Sequence, residues 1–442
     1  MTRILGIEIR RSAALGTVLV LLVAGAILLY AAPQRWAAGW MALAMVQREY
    51  LVLLWPLALA AGAYQARREH RTHVAELFAS TARPRAQRVI PVLGAMAIAS
   101  VTAYLLVIAI GLPWIVDTAD YLPARVFLVV AVGALAMIGG AWLGLAVGRL
   151  LPSVVTAPAL AVAGLGFLML LPVATKNRPW LTMALSPMYG MGQYTDYQTV
   201  GVKASLAQVI WLVALAVVGV VLLASGSWRS RVATLLPVVL GVALAVSVIP
   251  RDRFVANQTD KVAQELVCAD GTPRVCISRI HAGLTPEIVP QARQALTTLA
   301  KLPDPPTAVH EDTTTYYPAW SPDPQPGVVL LDVHVDKYGH LAWPSRVVPD
   351  VVIAAMTPGR LCEDGSDYSA SRAAAAYVLG VEPAGDWGQW GVVSDEPDPD
   401  VGTFLTALRK LPEQEALARV AALRRAAAEC GDLRAALTGR TR

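Results

Sequence analysis

The chain has 442 residues, 55% of them hydrophobic and 16% charged, with a formal net charge of +5. A soluble domain usually carries about 25% charged residues, so this composition excludes a protein that is water-soluble throughout, while the length allows two or three domains. Of the 37 basic residues only six are Lys, and with the many Ala residues this is the composition of a GC-rich, actinobacterial-like genome. The basic residues gather at the edges of apolar stretches, a mark of membrane topology rather than of nucleic-acid binding.

A helix needs roughly 20 apolar residues to cross the hydrocarbon core. Windows free of Asp, Glu, Lys, Arg and His run over 12–34, 50–66, 89–116, 126–148, 150–175, 204–228 and 232–250. They predict transmembrane helices at about 12–32, 48–66, 89–112, 126–148, 152–173, 205–226 and 232–250. The first window is longer than the apolar core of a signal peptide and is read as an uncleaved helix. The second is short and contains Pro56, with Arg48 and Glu49 at its edge. A buried Arg is costly in lipid, so Arg48 is expected near the outer interface. In the fourth, Gly140, Gly144 and Gly148 repeat at the GxxxG spacing that permits close helix packing.

Alternate gaps between the windows hold twelve basic residues against six in the others. By the positive-inside rule the N-terminus is cytoplasmic, the segment 67–88 is cytoplasmic, and everything after 250 is extracytoplasmic. The chain is therefore expected to be multi-pass in a bacterial plasma membrane. The expected architecture is a polytopic α-helical membrane domain over 1–250, with six plus one spanning helices, followed by a small soluble α+β domain over 251–442.

The C-terminal half alternates helix and strand signals. An amphipathic helix is expected over 286–301 with Thr285 as its N-cap, a strand over 327–335, and helices over 366–379 and 413–430. All four cysteines, Cys268, Cys276, Cys362 and Cys430, lie here. In an oxidising compartment they suit two disulfides. The Asp270-Gly271 turn between the first two favours Cys268–Cys276 and leaves Cys362–Cys430. His281, His310, His334 and His340 stand near Glu311 and Asp332, but His310-Glu311 lacks the second His of HExxH, and Gly365-Ser366-Asp367 lacks the GxSxG context. No metal site and no catalytic residue is expected. Tyr316, Tyr317, Trp320, Trp343, Trp387 and Trp390 form either core or a ligand-binding cluster, and core is the favoured reading.

The segment 67–88 is the most distinctive. Arg71 to Ser80 can form a short helix with Val74, Leu77 and Phe78 on one side, and Arg83-Pro84-Arg85 ends it. By composition such a helix lies on a membrane surface or docks into a partner's groove. Here the sequence resembles the ABC-2 class of ABC transporter permeases. Residues 7–12 are similar to that class's interfacial helix. Glu69, Arg71, Val74, Glu76, Leu77, Phe78, Ser80, Arg83 and Arg85 are similar to its coupling helix and the basic turn after it. The segment 172–204 matches the place of its short re-entrant helices.

The resemblance covers residues 1–228; the seventh span and the C-terminal domain are additions to the family's usual six-span core. It implies a permease subunit that works with a second copy or a paralogue in the lipid bilayer, exporting an amphipathic or hydrophobic substrate. It also implies a separate ABC ATPase subunit holding ATP and Mg. This chain has no GxxxxGK[ST] loop, and no Gly-Lys dipeptide occurs in it, so it is expected to bind no cofactor itself. The windows carry no ionisable relay of the kind used by ion-coupled carriers. The competing reading is a membrane-anchored sensor or immunity protein without transport activity.

Overall fold

The computed structural model describes residues 6, 13–71, 85–188, 195–316, 319–323, 325–357, 368–382 and 399–439. It divides into two units, Met1–Val116 with Leu122–Asp260, and Asp117–Tyr121 with Lys261–Arg442.

The first unit is helical. It contains α1 (Ala14–Ala31), α2 (Trp40–Glu49), α3 (Leu51–Arg71), α4 (Arg85–Gly111), α5 (Arg125–Leu150), α6 (Thr156–Ala174), α7 (Pro179–Leu185), α8 (Val202–Ala224), α9 (Trp228–Val232) and α10 (Leu235–Val248). Among the described residues, six helices are long and apolar enough to cross a membrane: Ala14–Ala31, Val89–Trp114, Arg125–Leu150, Thr156–Ala174, Val202–Ala224 and Trp228–Val248. Trp40–Glu49 and Leu51–Arg67 qualify only as a pair, bent by 52°, which would make seven. The helix expected at 48–66 is thus the second member of a bent pair whose first member begins at Trp40. Gln47 and Arg48 interrupt the apolar pattern and hid its first half, because both are buried against protein.

The burial pattern suits an apolar solvent. α1 exposes Leu15, Leu19 and Ile27, α6 exposes Val162, Leu170 and Val173, and α10 exposes Leu236, Val239 and Leu240. Such belts would drive aggregation in water and cost nothing against lipid tails. α5 lies inside, packed on α3, α4 and α8. Its glycine stripe faces α3 of the same chain. A Cβ on Gly144 would overlap the Leu59 carbonyl, one on Gly148 the Ala63 backbone, and one on Gly140 would press on the Trp55 indole. From the other side, a Cβ on Gly62 would overlap the Ala141 carbonyl. Two backbones therefore touch along this seam, which dispersion forces reward when side chains are absent.

Aromatic residues gather where α1 ends and the segment after α4 begins. Trp36 is fully buried, stacks on Trp114 at 5.2 Å, and donates from Nε1 to the Leu29 carbonyl at 3.0 Å. Tyr30 meets Trp114 edge-on, and Arg35 pairs with Glu49. A short antiparallel ladder of β1 (Gln198–Val200) with β2 (Asn257–Thr259) joins the segment before α8 to the end of the unit.

The second unit is built on a four-stranded sheet of β3 (Leu266–Cys268), β4 (Arg274–Ser278), β5 (Ala308–Glu311) and β8 (Val328–Leu331), in the order β3-β4-β5-β8. The pair β3/β4 is antiparallel, whereas β4/β5 and β5/β8 are parallel. A two-residue ladder of β6 (Thr315–Tyr316) and β7 (Ala319–Trp320) interrupts the path from β5 to β8. The crossover from β4 to β5 carries α11 (Thr285–Leu299), whose Ile288, Val289, Ala292, Ala295, Leu296 and Leu299 fall on one buried face. They pack on Val275, Ile277, Val309, Val329 and Leu331, the alternate residues of the strands, and on α12 (Val347–Ala354). The helices α13 (Tyr368–Leu379), α14 (Pro399–Arg409), α15 (Glu413–Ala428) and α16 (Leu433–Thr438) complete this core.

Four expectations change here. Thr285 is not an N-cap, since the cap is Leu284 and the Thr285 hydroxyl donates back to the Ala282 carbonyl at 2.6 Å. The strand over 327–335 shortens to Val328–Leu331, after which the chain turns into a bridge between Val335 and Leu341. The last long helix stops at Ala428, because Cys430 takes a positive φ of 54° that a helix does not permit. Trp320 and Trp343 are not core; they are 47% and 49% exposed, and Trp343 lies under the Arg346 guanidinium and against the His334 ring. Tyr317, Trp387 and Trp390 lie outside the described residues.

Candidate functional site

The helical unit buries a charged node around Arg48. The residue is the penultimate one of α2, three positions before the chain resumes as α3, and is 1% exposed. A guanidinium at such a place must spend its donors on protein acceptors. Nη2 donates to the Pro187 carbonyl at 3.0 Å and to Gln208 Oε1 at 3.1 Å, and Nη1 reaches the Val129 carbonyl at 3.5 Å. Each acceptor belongs to a different element: the stretch after α7, α8 and α5.

Local sequence prepares each partner. Pro187 lies in non-helical chain, so its carbonyl is not committed to a helix ladder. Gln208 is oriented by its amide Nε2, which donates to the Met183 carbonyl at 2.9 Å, and one turn on Trp211 Nε1 donates to the Leu185 carbonyl at 2.7 Å. Gly133 leaves room beside Val129, since a Cβ there would strike both the Tyr104 hydroxyl and Arg48 Cδ. Tyr104, 1% exposed, is thereby held beside the guanidinium. The node fastens α2, α5, α7 and α8 together.

From the sequence, Arg48 is expected near the outer interface. Its partners come from near the start of α5 and of α8 and from the stretch after α7, and protein encloses its guanidinium. Sequence reading did not single out Gln208, Tyr104 or Gly133. The available signal was polar residues within apolar windows, which must face protein.

Of the coupling-helix residues, Glu69 and Arg71 fall on the last turn of α3 and Arg85 is the first residue of α4. Val74, Glu76, Leu77, Phe78 and Arg83 lie outside the described residues, as does the segment 7–12. Of the expected short helices over 172–204, the structure contains α7, seven residues long.

In the second unit, the parallel strands β4, β5 and β8 end side by side, and their C-terminal edge is rich in carboxylates. Glu311 closes β5, with Asp312 next to it, and Asp332 follows β8. Glu311 accepts from the Ser278 backbone N–H at 2.8 Å and meets His281 Nδ1 at 2.6 Å, both side chains being buried. The Ser278 hydroxyl is 3.3 Å from that same Nδ1. An acyl-transfer relay needs the hydroxyl and the carboxylate on opposite ring nitrogens, so this trio is a structural clasp. Burial, and then the neighbouring Asp312, Glu311 and Asp350 carboxylates, push the Asp332 carboxyl up to about 7. Among the described residues no group of three or more His, Cys, Asp or Glu converges as metal ligands.

On the same unit, Cys268 and Cys276 form a disulfide across the β3/β4 ladder. Cys430 is also disulfide-bonded; Cys362, its expected partner, lies outside the described residues. Glu287, on the first turn of α11, receives His340 Nδ1 at 2.8 Å and the Leu341 N–H at 3.0 Å, and so pins the turn that follows β8.

Comparison of the chain with protein-family models, with curated proteins and with solved structures returned no significant match.

Proposed function

We propose that this chain is the membrane-spanning permease subunit of an ATP-driven transporter of the ABC-2 class. It moves an amphipathic or hydrophobic substrate outward on ATP hydrolysed by a separate ATPase subunit. The observation that carries the reading is the segment 67–88 of the sequence, with six arginines and Glu76-Leu77-Phe78, which begins on the last turns of α3 and ends on the first turn of α4. Apolar side chains at helical spacing on a basic, membrane-proximal segment suit a groove on a peripheral partner.

Orientation follows from charge: the N-terminus is cytoplasmic and the C-terminal unit is extracytoplasmic, in a bacterial plasma membrane. Bonded cysteines in that unit support the same assignment, since disulfides persist outside the reducing cytosol. The Arg48 node supports an external energy source. A guanidinium does not release its proton in a protein, so this buried charge is a fastener and not a relay for proton-coupled transport. A second copy or a paralogue would complete the pathway.

The test is capture of the tagged full-length chain from its native membrane. An ATPase chain with a GxxxxGK[ST] loop is expected to co-purify, and Leu77→Asp with Phe78→Asp is expected to abolish its capture. Undiminished capture by the double variant would remove the coupling assignment. Absence of any ATPase from the wild-type eluate would favour the membrane-anchored sensor instead.

A further inference from the structure

The disulfide of the second unit stands in a setting that a purely structural staple does not need. β3 is the edge strand of its sheet and Cys268 is solvent-exposed, while its cross-strand partner Cys276 is 1% exposed. Arg274, two residues before Cys276 on the same face of β4, aims both Nε and Nη2 at Cys268 Sγ, each at 3.3 Å. Across the parallel ladder Cys276 is in register with His310, so the two residues share a sheet face. The His310 Nε2 is buried and has no hydrogen-bond partner among the described residues. Burial, and then the Arg274 charge, hold that imidazole below its ordinary pKa, so it is neutral.

One sulfur is thus open to attack with a fixed positive charge beside it, and the other is enclosed beside an uncommitted neutral imidazole. Exposed disulfides are the ones that exchange, and a neighbouring cation stabilises a thiolate. We propose that Cys268–Cys276 is a redox-active disulfide that is opened by an external dithiol through Cys268.

The exchange balances in two steps. A thiolate of the dithiol attacks Cys268 Sγ; the Cys268–Cys276 bond breaks, and Cys276 leaves with the electron pair and takes up a proton in the enclosed site next to His310. The second thiol of the reductant, as thiolate, then attacks its own sulfur in the mixed disulfide. Cys268 departs as a thiolate facing the Arg274 guanidinium, and the reductant is left as a disulfide. Two electrons pass from the dithiol to the cysteine pair. The hairpin survives the change, because Arg293 of α11 donates to both the Pro273 and the Asp270 carbonyls at its turn and the β3/β4 ladder remains.

The experiment uses the full-length chain in its membrane without denaturant. Dithiothreitol is raised stepwise, freed thiols are alkylated, and peptides are read by mass spectrometry. Cys268 and Cys276 are expected to label at a dithiothreitol concentration at least tenfold below that needed for Cys430. A limiting pulse of reduced glutathione, quenched by alkylation of the released Cys276 thiol, is expected to leave the mixed disulfide on Cys268. In Arg274→Gln the rate of opening is expected to fall several-fold, with Arg274→Lys intermediate. Glutathione found on Cys276, or a Cys268–Cys276 bond that opens only together with that of Cys430, would overturn the proposal. The first two readouts use the native chain, so a folding defect in a variant does not shield it.

Discussion

Gln208 of α8 holds the Arg48 guanidinium of α2 through its Oε1 at 3.1 Å and the Met183 carbonyl of α7 through its Nε2 at 2.9 Å. One side-chain amide therefore joins three elements, with its acceptor turned to a cation and its donor to a carbonyl. Neither function can be exchanged without leaving a buried group unsatisfied.

Gln208→Leu keeps the volume but removes both hydrogen bonds, leaving a guanidinium N–H and the Met183 carbonyl without this partner. A bond to a charged donor contributes about 1.5–3 kcal/mol, and an orphaned buried group costs a similar amount. The variant is expected to melt several degrees below wild type in detergent, and Gln208→Glu is expected to recover only part of the loss, since a carboxylate still accepts from Arg48 but cannot donate to the Met183 carbonyl. Equal melting of wild type and Gln208→Leu would show that the node contributes nothing to holding the helices.

Gly144→Val tests the seam of α3 with α5. The new Cβ would overlap the Leu59 carbonyl, a backbone atom that no rotamer change can move. Overpacking costs about 1–3 kcal/mol where side chains can yield, and more is expected here. Gly166→Val is the matched control, since a Cβ there meets nothing within 4 Å. The prediction is loss of monodisperse protein for the first and wild-type behaviour for the second, read by size-exclusion chromatography. The same elution profile for both would remove the close-approach argument.

Asp332 gives the second unit a pH dependence whose sign is fixed. Its folded value of about 7 lies above the ordinary 3.8. Below 3.8 both folded and unfolded states hold the proton and no penalty arises. As pH rises from about 4 to 7 the unfolded state releases its proton first, and stability falls by linkage, by at most on the order of 4 kcal/mol. Asp332→Asn removes this term. The variant is expected to match wild type near pH 4 and to exceed it at pH 8, measured by hydrogen exchange of β5 and β8 amides in the full chain. A constant difference at both pH values would assign the effect to packing rather than titration.

The sequence by itself located the apolar half of the chain and most element positions. Windows without charge admit six apolar helices because a bilayer tolerates little else, and α11 was legible from its apolar spacing. The Asp270-Gly271 pair marked the Cys268–Cys276 hairpin, whose connection runs over residues 269–273. Tertiary structure alone decided where the polar residues inside the apolar half go. Arg48, Gln208, Gly133 and Tyr104 are scattered over four elements, and the hydrogen bonds and clearances that unite them depend on helix packing, which local spacing does not encode. The same holds for Ser278, His281, Glu311 and Asp332: parallel strands bring their ends together only after the crossover helix has closed, so their proximity is a property of the sheet and not of any segment of the chain.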